Sequence, residues 1–333
     1  MAFNFIEIEK KKSRIIAAVF FVIVVFYFTG VWLLILFARS IMMSLAMQKF
    51  VLFLPPARLT QQVLGASFAI GIMHWLLSVH NVIERMCAAV DARPTDEQDE
   101  YHLYFRNIVN EVSVAIGGRH IDPMVIHRSD LNAFAVADFS GRAVIGVTEG
   151  LLCILNRIQI ESVVAHEAAH IISGDCLATT VTSALGEFYE ELFGVINGLG
   201  TLLRAFVSRE REYRADALAV RITRDPAGLA QALYQISSHW RGEGARGSRL
   251  SSIFIVNPRF EHVDEAGGFF ADILSTHPPI RARIAVLAQM AHLSEEELDL
   301  RLKDFRRISP VLPHGVGFDD GAAFNRIMYP GIK

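Results

Sequence analysis

A chain of 333 residues is long enough for one large domain or two smaller ones. Hydrophobic residues make up 52% of it and the mean hydropathy is +0.34, high for a chain with no membrane part. The formal net charge of -3 gives no basis for a nucleic-acid partner, and the three cysteines, Cys87, Cys153 and Cys176, lack CxxC spacing and read as small buried hydrophobes, not as a disulfide framework.

The first element is "IIAAVFFVIVVFYFTGVWLLILFA", residues 15–38, which carries no charge. As a helix it extends ~36 Å and crosses a ~30 Å hydrocarbon core with some tilt. It exceeds the apolar core of about 7–15 residues found in a signal peptide, and no small-x-small site follows, so it reads as an uncleaved anchor. A second span is expected at residues 59–83, again without formal charge, where His74 and His80 read as bundle-facing or interfacial rather than as a proton relay. Lys10, Lys11, Lys12 and Arg14 precede the first span and favour a cytoplasmic N-terminus. Two spans return the chain to that side, which predicts a multi-pass protein of the cytoplasmic (inner) membrane whose body faces the cytoplasm. The apolar connection "IMMSLAMQKFVLFLPP" is expected to lie along the bilayer surface.

Residues 1–90 thus form a membrane anchor, and the acidic stretch "DARPTDEQDE" from Asp91 to Glu100 opens a globular domain over residues 91–292. Tyr101 to Ile116 has helical spacing. His120 to His127 and Ala133 to Thr148 alternate as short strands, with "DFSGRA" as a hairpin turn. Leu151 to Asn156 and Ile158 to Ser173 read as helices, the second closed by Gly174 as a C-terminal cap. Residues 178–207 are expected to form a helical hairpin against the body or grazing the membrane. Glu187, Glu190 and Glu191 would each cost ~2.5 kcal/mol or more at mid-bilayer, and "LFGVINGLGTLL" is too short to span. "RGEGARGSR" (Arg241 to Arg249) is a flexible loop. A C-terminal helix and tail fill residues 293–333: Ser294 and Glu297 form a capping box, and His314, Asp319 and Asp320 belong to a polar tail rather than to a second metal site. The elements sum to a mainly α protein with a small β-sheet, an α+β class.

The chemistry is concentrated in "VVAHEAAHIISGD", Val163 to Asp175. His166 and His170, at i and i+4, project from one face of a helix with Cβ atoms ~5–6 Å apart. Both imidazoles can therefore reach one zinc ion at ~2.0–2.1 Å. Glu167 lies about 100° round the helix from His166, placed to take a proton from a metal-bound water rather than to ligate. A catalytic site needs a third protein ligand and one open position. The next histidine is His239, so the ligand comes from elsewhere. "SREREYRADALAV" (Ser208 to Val220) is the best source: Glu212 can ligate, and Asp216, four residues on, can accept the N–H of a zinc-bound histidine. Glu210 is the competing ligand if the register differs, and a solvated face of Glu–Arg pairs is the bland alternative.

Taken together, HExxH and "SREREYRAD" resemble the membrane-bound zinc metallopeptidases typified by HtpX, related to the CAAX prenyl proteases. "LNAFAVA" (Leu131 to Ala137), "GVTEGLL" (Gly146 to Leu152), the Asn257–Pro258 pair and "STHPPIRARI" (Ser275 to Ile284) extend the resemblance over about residues 101–290. It implies a zincin-type domain holding one Zn2+ per chain on His166, His170 and Glu212, with Glu167 as general base and Asp216 behind the ligands. It also implies a substrate cleft lined by Asn132, Ala133 and Phe134, in which an extended substrate pairs with an edge strand, Arg283 as a structural or cleft cation, and His277 near the metal as an oxyanion donor or gate. Members of that family usually carry two further spans between HExxH and the glutamate; here residues 171–211 do not hold them.

The reading is an anchored zinc endopeptidase in protein quality control. Its partners are the lipid bilayer and protein or peptide substrates, chiefly misfolded or damaged membrane proteins; nucleic acid is excluded, and nothing in the sequence specifies an oligomer. The competing readings are a tethered scaffold whose structural zinc is closed by His277 or Cys176, a latent protease gated by His277, and a prenyl-peptide protease, which two spans disfavour.

Overall fold

A computed structural model describes residues 5–47, 54–193, 209–238, 254–255, 279–294 and 297. His277, the 241–249 loop, the second half of the expected 178–207 hairpin and the polar tail lie outside them. The chain divides into two compact units, Met1–Val82 with Val181–Phe206 and Ile83–Thr180 with Val207–Lys333.

In the first unit, α1 runs from Phe5 to Met47. It continues through "IMMSLAM", expected to leave the helix, because Ile, Met, Leu and Ala all extend a helix and the first proline is Pro55. α2 spans Ala57–Val79. Ile16–Ala46 and Ala57–Val79 are long and apolar enough to cross a membrane. The second expected span was drawn to Ile83, but the chain turns at Asn81, whose φ of 49° suits an asparagine, and resumes as α3, Val82–Ala89. The buried face of α2 carries Val63, Ser67, Gly71, His74 and Ser78 at helical spacing. Small residues there allow close approach: a Cβ on Gly71 would stand 3.0 Å from Val24. Phe20 meets Phe68 and Trp75 edge to face. His74 Nε2 donates to the carbonyl of Leu185 at 3.2 Å, so Nδ1 accepts from the Tyr27 hydroxyl at 3.0 Å. His74 faces its bundle, whereas His80 is exposed at the helix end.

The second unit is built on four strands in the order β1-β2-β4-β3: β1 Ala92–Pro94, β2 Asp122–Ile126, β3 Ala133–Ala137 and β4 Ala143–Thr148. β2 and β4 are parallel; the other pairs are antiparallel. β1 falls in the acidic stretch read as a boundary. It is a three-residue edge strand, the one place in a sheet that tolerates Pro94. Between β1 and β2, α4 (Glu100–Ala115) starts on Asp99, whose carboxylate accepts from the amides of Tyr101 and His102. The β3–β4 turn is closed by the Asp138 carboxylate, which accepts from the amides of Ser140 and Arg142. α5 (Glu149–Ile154) follows β4 directly.

α6, Arg157–Ser173, begins with a complete Asn156–Gln159 capping box and ends on Gly174 in the left-handed conformation. It is followed by α7 (Asp175–Phe193), α8 (Arg209–Thr223), α9 (Pro226–Ser238) and α10 (Ile280–Met290). α6 is the central helix of this unit, packed on α8, α9, α4 and the β3–β4 side of the sheet. That position explains why nearly every residue from Gln159 to Ile171 is buried, the polar Gln159, Ser162, His166 and Glu167 included.

Candidate metal centre

α6 and α8 pack face to face, and their polar exceptions meet. The rings of His166 and His170 lie 4.8 Å apart between centroids, with Nε2 to Nε2 at 3.2 Å. From α8, one carboxylate oxygen of Glu212 is 3.5 Å from His166 Nε2 and the other is 3.5 Å from His170 Nε2. Ligands on tetrahedral arms of 2.0–2.1 Å stand about 3.3–3.4 Å apart, so the three donors are already at ligand spacing. Among the described residues, His166, His170 and Glu212 form the one group of three or more metal-ligating side chains with donor atoms within 4.8 Å of one another. Cys176 does not join it: its thiol is buried beside the Thr180 hydroxyl at 4.0 Å. The Glu210 side chain and His277 lie outside the described residues.

One turn beyond Glu212, Asp216 sits 3.0 Å from His166 Nδ1 and fixes the tautomer that leaves Nε2 as a donor. Arg283, in the first turn of α10, grips the same carboxylate with two bonds of 2.9 and 2.7 Å and reaches Glu212 at 3.3 Å. Of the two roles expected of it, structural or cleft cation, its full burial behind His166 and Glu212 fits the structural one, a site tolerable for a guanidinium because two carboxylates compensate it.

Burial opposes a charge on His166, but its bonds to Asp216 and Glu212 outweigh that and raise it to about 9. Burial opposes ionisation of Asp216 as well, yet Arg283 and His166 hold it below the usual carboxylate range. Burial lowers His170 to about 3, leaving a neutral imidazole. Burial also pushes Glu167 up to about 7, with His166 opposing and Glu212 adding to the rise. Glu167 Oε1 is buried with no hydrogen-bond partner among the described residues, and neither has His170 Nδ1. An orphaned carboxyl oxygen beside three convergent donors fits a cation site with a solvent molecule next to it.

The sequence profile of peptidase family M48 matches residues 102–291, more than half of the chain. The chain belongs to peptidase family M48. It is 34% identical over 226 residues to a protease HtpX homolog of Dictyoglomus thermophilum, covering 59% of this chain and 71% of that protein. A protease HtpX homolog of Acidiphilium cryptum is 36% identical over 197 residues, covering 50% and 67%. One from Streptococcus pneumoniae is 27% identical over 330 residues, covering 87% and 100%. Among solved structures, the crystal structure of S. mikatae Ste24p covers 67% of this chain and 64% of its own at 14% identity, a loose likeness with a TM-score of 0.37.

This M48 chain is therefore a metalloprotease with a mainly helical α+β body and two N-terminal helices apolar enough to cross a membrane. Of the residues expected along its substrate cleft, Asn132, Ala133 and Phe134 lie on or beside the edge strand β3, and all three are buried. Asn132 turns its side-chain oxygen onto the amide of Ala133 at 3.0 Å. Ala133 belongs to the main core. Phe134 packs on the opposite face, where a Cβ on Gly146 would stand 1.9 Å from its ring. Its ring meets Phe254 edge to face at 5.8 Å. Phe134 is thus a packing residue rather than an open cleft wall. Sequence reasoning missed Phe254, Ile255 and Thr180, which bond or pack against this strand from 43 or more positions away. No local pattern marks them.

Proposed function

We propose that His166, His170 and Glu212 hold one zinc ion per chain and that Glu167 is the general base of a peptide-hydrolysing site. The observation that carries this reading is the convergence of the three donors at ligand spacing, with Glu167 Oε1 alongside and unpaired among the described residues. Two imidazoles and a carboxylate suit zinc's preference for nitrogen and oxygen donors in catalytic sites. When bound, the ion supplies a Lewis acid that polarises a peptide carbonyl and makes water nucleophilic near neutral pH. Glu167 takes a proton from the attacking water and passes it to the leaving amine nitrogen. Asp216 holds the His166 ring, and Arg283 holds Asp216 and Glu212.

The two apolar helices support an anchor in the cytoplasmic (inner) membrane, and the Lys10–Lys12 cluster supports a cytoplasmic site. An edge strand that reads main chain rather than side chains suits substrates recognised by being unfolded, such as damaged or misassembled membrane proteins in quality control. The deciding experiment compares Glu167→Gln with Glu212→Ala in the purified full chain. The first should keep its metal and lose cleavage of an unfolded reporter; the second should lose both. Proteolysis at the wild-type rate by Glu167→Gln refutes the assignment.

A further inference from the structure

Among the four named strands, β3 pairs with β4 alone. Thr148 donates its amide to the carbonyl of Asn132, and Asp138 donates its amide to the carbonyl of Arg142. The even-numbered residues therefore bond to β4, and Ala133, Ala135 and Ala137 turn their amides and carbonyls to the outer side. Part of that outer side is already in use. The amide of Ile255 donates to the carbonyl of Ala133 at 2.8 Å, and Phe254 bridges Phe134 in antiparallel register. The amide of Ala133 is capped by the Asn132 side chain, and that of Ala137 donates to the Thr180 hydroxyl at 3.1 Å. The Phe254 ring is buried against Phe134.

We propose that Phe254–Ile255 is an internal occupant of the edge on which an extended polypeptide substrate would add to β3, and that substrate binds by displacing it. The inference rests on the peptidase reading given above, in which β3 is the substrate-pairing edge. Two features make displacement feasible. The caps on the Ala133 and Ala137 amides are side-chain oxygens, which a rotamer change releases. The incoming strand replaces each lost bond with an equivalent one, an N–H onto Ala133 and a carbonyl toward the freed amides. Phe254 also defines what the substrate needs at the position opposite Phe134: a bulky apolar side chain that packs on the Phe134 ring where Phe254 now sits.

The test is binding of fluorescein-labelled casein to the metal-loaded full chain in detergent micelles, read by anisotropy in a Glu167→Gln background so that the probe is not consumed. Antiparallel bridge partners have Cα atoms about 4.5–5.5 Å apart, within disulfide range, so Phe134→Cys with Phe254→Cys can be locked by oxidation and released by reduction. The oxidised form should bind at least tenfold more weakly than the same protein reduced, with metal content unchanged and with no such effect of oxidant on the parent carrying only Cys87, Cys153 and Cys176. Equal affinity in the two states overturns the proposal. Ile255→Pro removes the donor to Ala133 without removing the aromatic contact. It should tighten binding severalfold and, with Glu167 restored, raise the initial cleavage rate. Weaker binding at unchanged metal content would make the segment part of the docking platform and also overturn it. If the wild type binds casein and metal but cleaves nothing, the peptidase reading fails, while the comparison of locked and released forms still decides the fate of the strand.

Discussion

Arg283→Met tests the electrostatic scaffold behind the metal ligands. In the native chain the guanidinium is 0% exposed, with bonds of 2.9 and 2.7 Å to Asp216 and a 3.3 Å contact to Glu212. Methionine fills much of the same volume but leaves both buried carboxylates, one helical turn apart, without the guanidinium and with His166 as a cationic neighbour. Removing one partner of a buried ion pair costs about 3–5 kcal/mol, a large share of the 5–15 kcal/mol that holds a typical domain folded. At about 2–4 °C per kcal/mol for a body of 150–250 residues, the melting temperature should fall by roughly 6–20 °C. The assay is thermal unfolding of the purified full chain in detergent by far-UV circular dichroism at one scan rate. Metal is chelated, so that ligand binding does not offset the loss. Asp216→Leu combined with Arg283→Met should melt above Arg283→Met alone, because an apolar pair in place of a buried ion pair is close to neutral. Arg283→Lys should recover part of the loss, since a point charge reaches one carboxylate oxygen but not the fork geometry. If Arg283→Met melts within about 2 °C of wild type, or if the double variant is the less stable of the two, the guanidinium is not the counter-ion described above.

Three further outcomes follow from particular contacts. His170→Ala removes a metal donor and Asp216→Asn only the acceptor behind one. A competitive chelator titration should show Asp216→Asn losing about 10–100-fold in affinity and His170→Ala losing more. Gly150→Ala places a Cβ 2.2 Å from the carbonyl oxygen of Ser129, a backbone atom that cannot swing aside. The loop before β3 must shift, and the variant should lose about 1–3 kcal/mol in thermal unfolding, as for an overpacked core. Asn156→Ala deletes half of the capping box at the start of α6. It should cost about 1 kcal/mol while metal affinity stays at the wild-type value.

The parts of the site that a sequence reveals are those within one helical turn. The spacing of His166, Glu167 and His170 and that of Glu212 and Asp216 are local facts, and Gly174 marks a helix end by its own conformational freedom. The architecture that joins them is not local. Arg283 reads equally as a structural or a cleft cation until Asp216, 67 positions away, is seen to hold its charge in the interior. β1 has three residues and no apolar alternation, so it becomes a strand only by pairing with Met124–Ile126. The outer edge of β3 reads as open because nothing near it in sequence announces that Ile255 closes on Ala133. The extension of α1 through Met47 differs: the apolar connection reads as lying along the bilayer surface, yet residues 41–47 contain no glycine or proline and are mostly good helix formers.

The charge of the cluster argues for the kind of ion it holds. Glu167, Glu212 and Asp216 are buried around two imidazoles, and Arg283 is a buried cation in contact with Glu212 and Asp216. Arg211 and Asp175, which both influence His170 from further out, offset each other. Metal ligation requires both imidazoles neutral and the carboxyls ionised, so the protons held on His166 and Glu167 leave when an ion enters, and three negative charges then face one positive charge. Two negative charges are then uncompensated in an interior where a lone ion costs several kcal/mol. A single divalent cation closes that balance; a monovalent ion leaves it short, and a protein cation in its place would need both imidazole donors to turn away. Arg283 sets the count. Without it the buried excess would be three, beyond what one divalent ion neutralises, and with a second arginine the pull on a dication would be halved. The polar residues that interrupt an otherwise apolar α6 are thus tolerable as a set, and the set is electrically complete when a divalent metal is its final member.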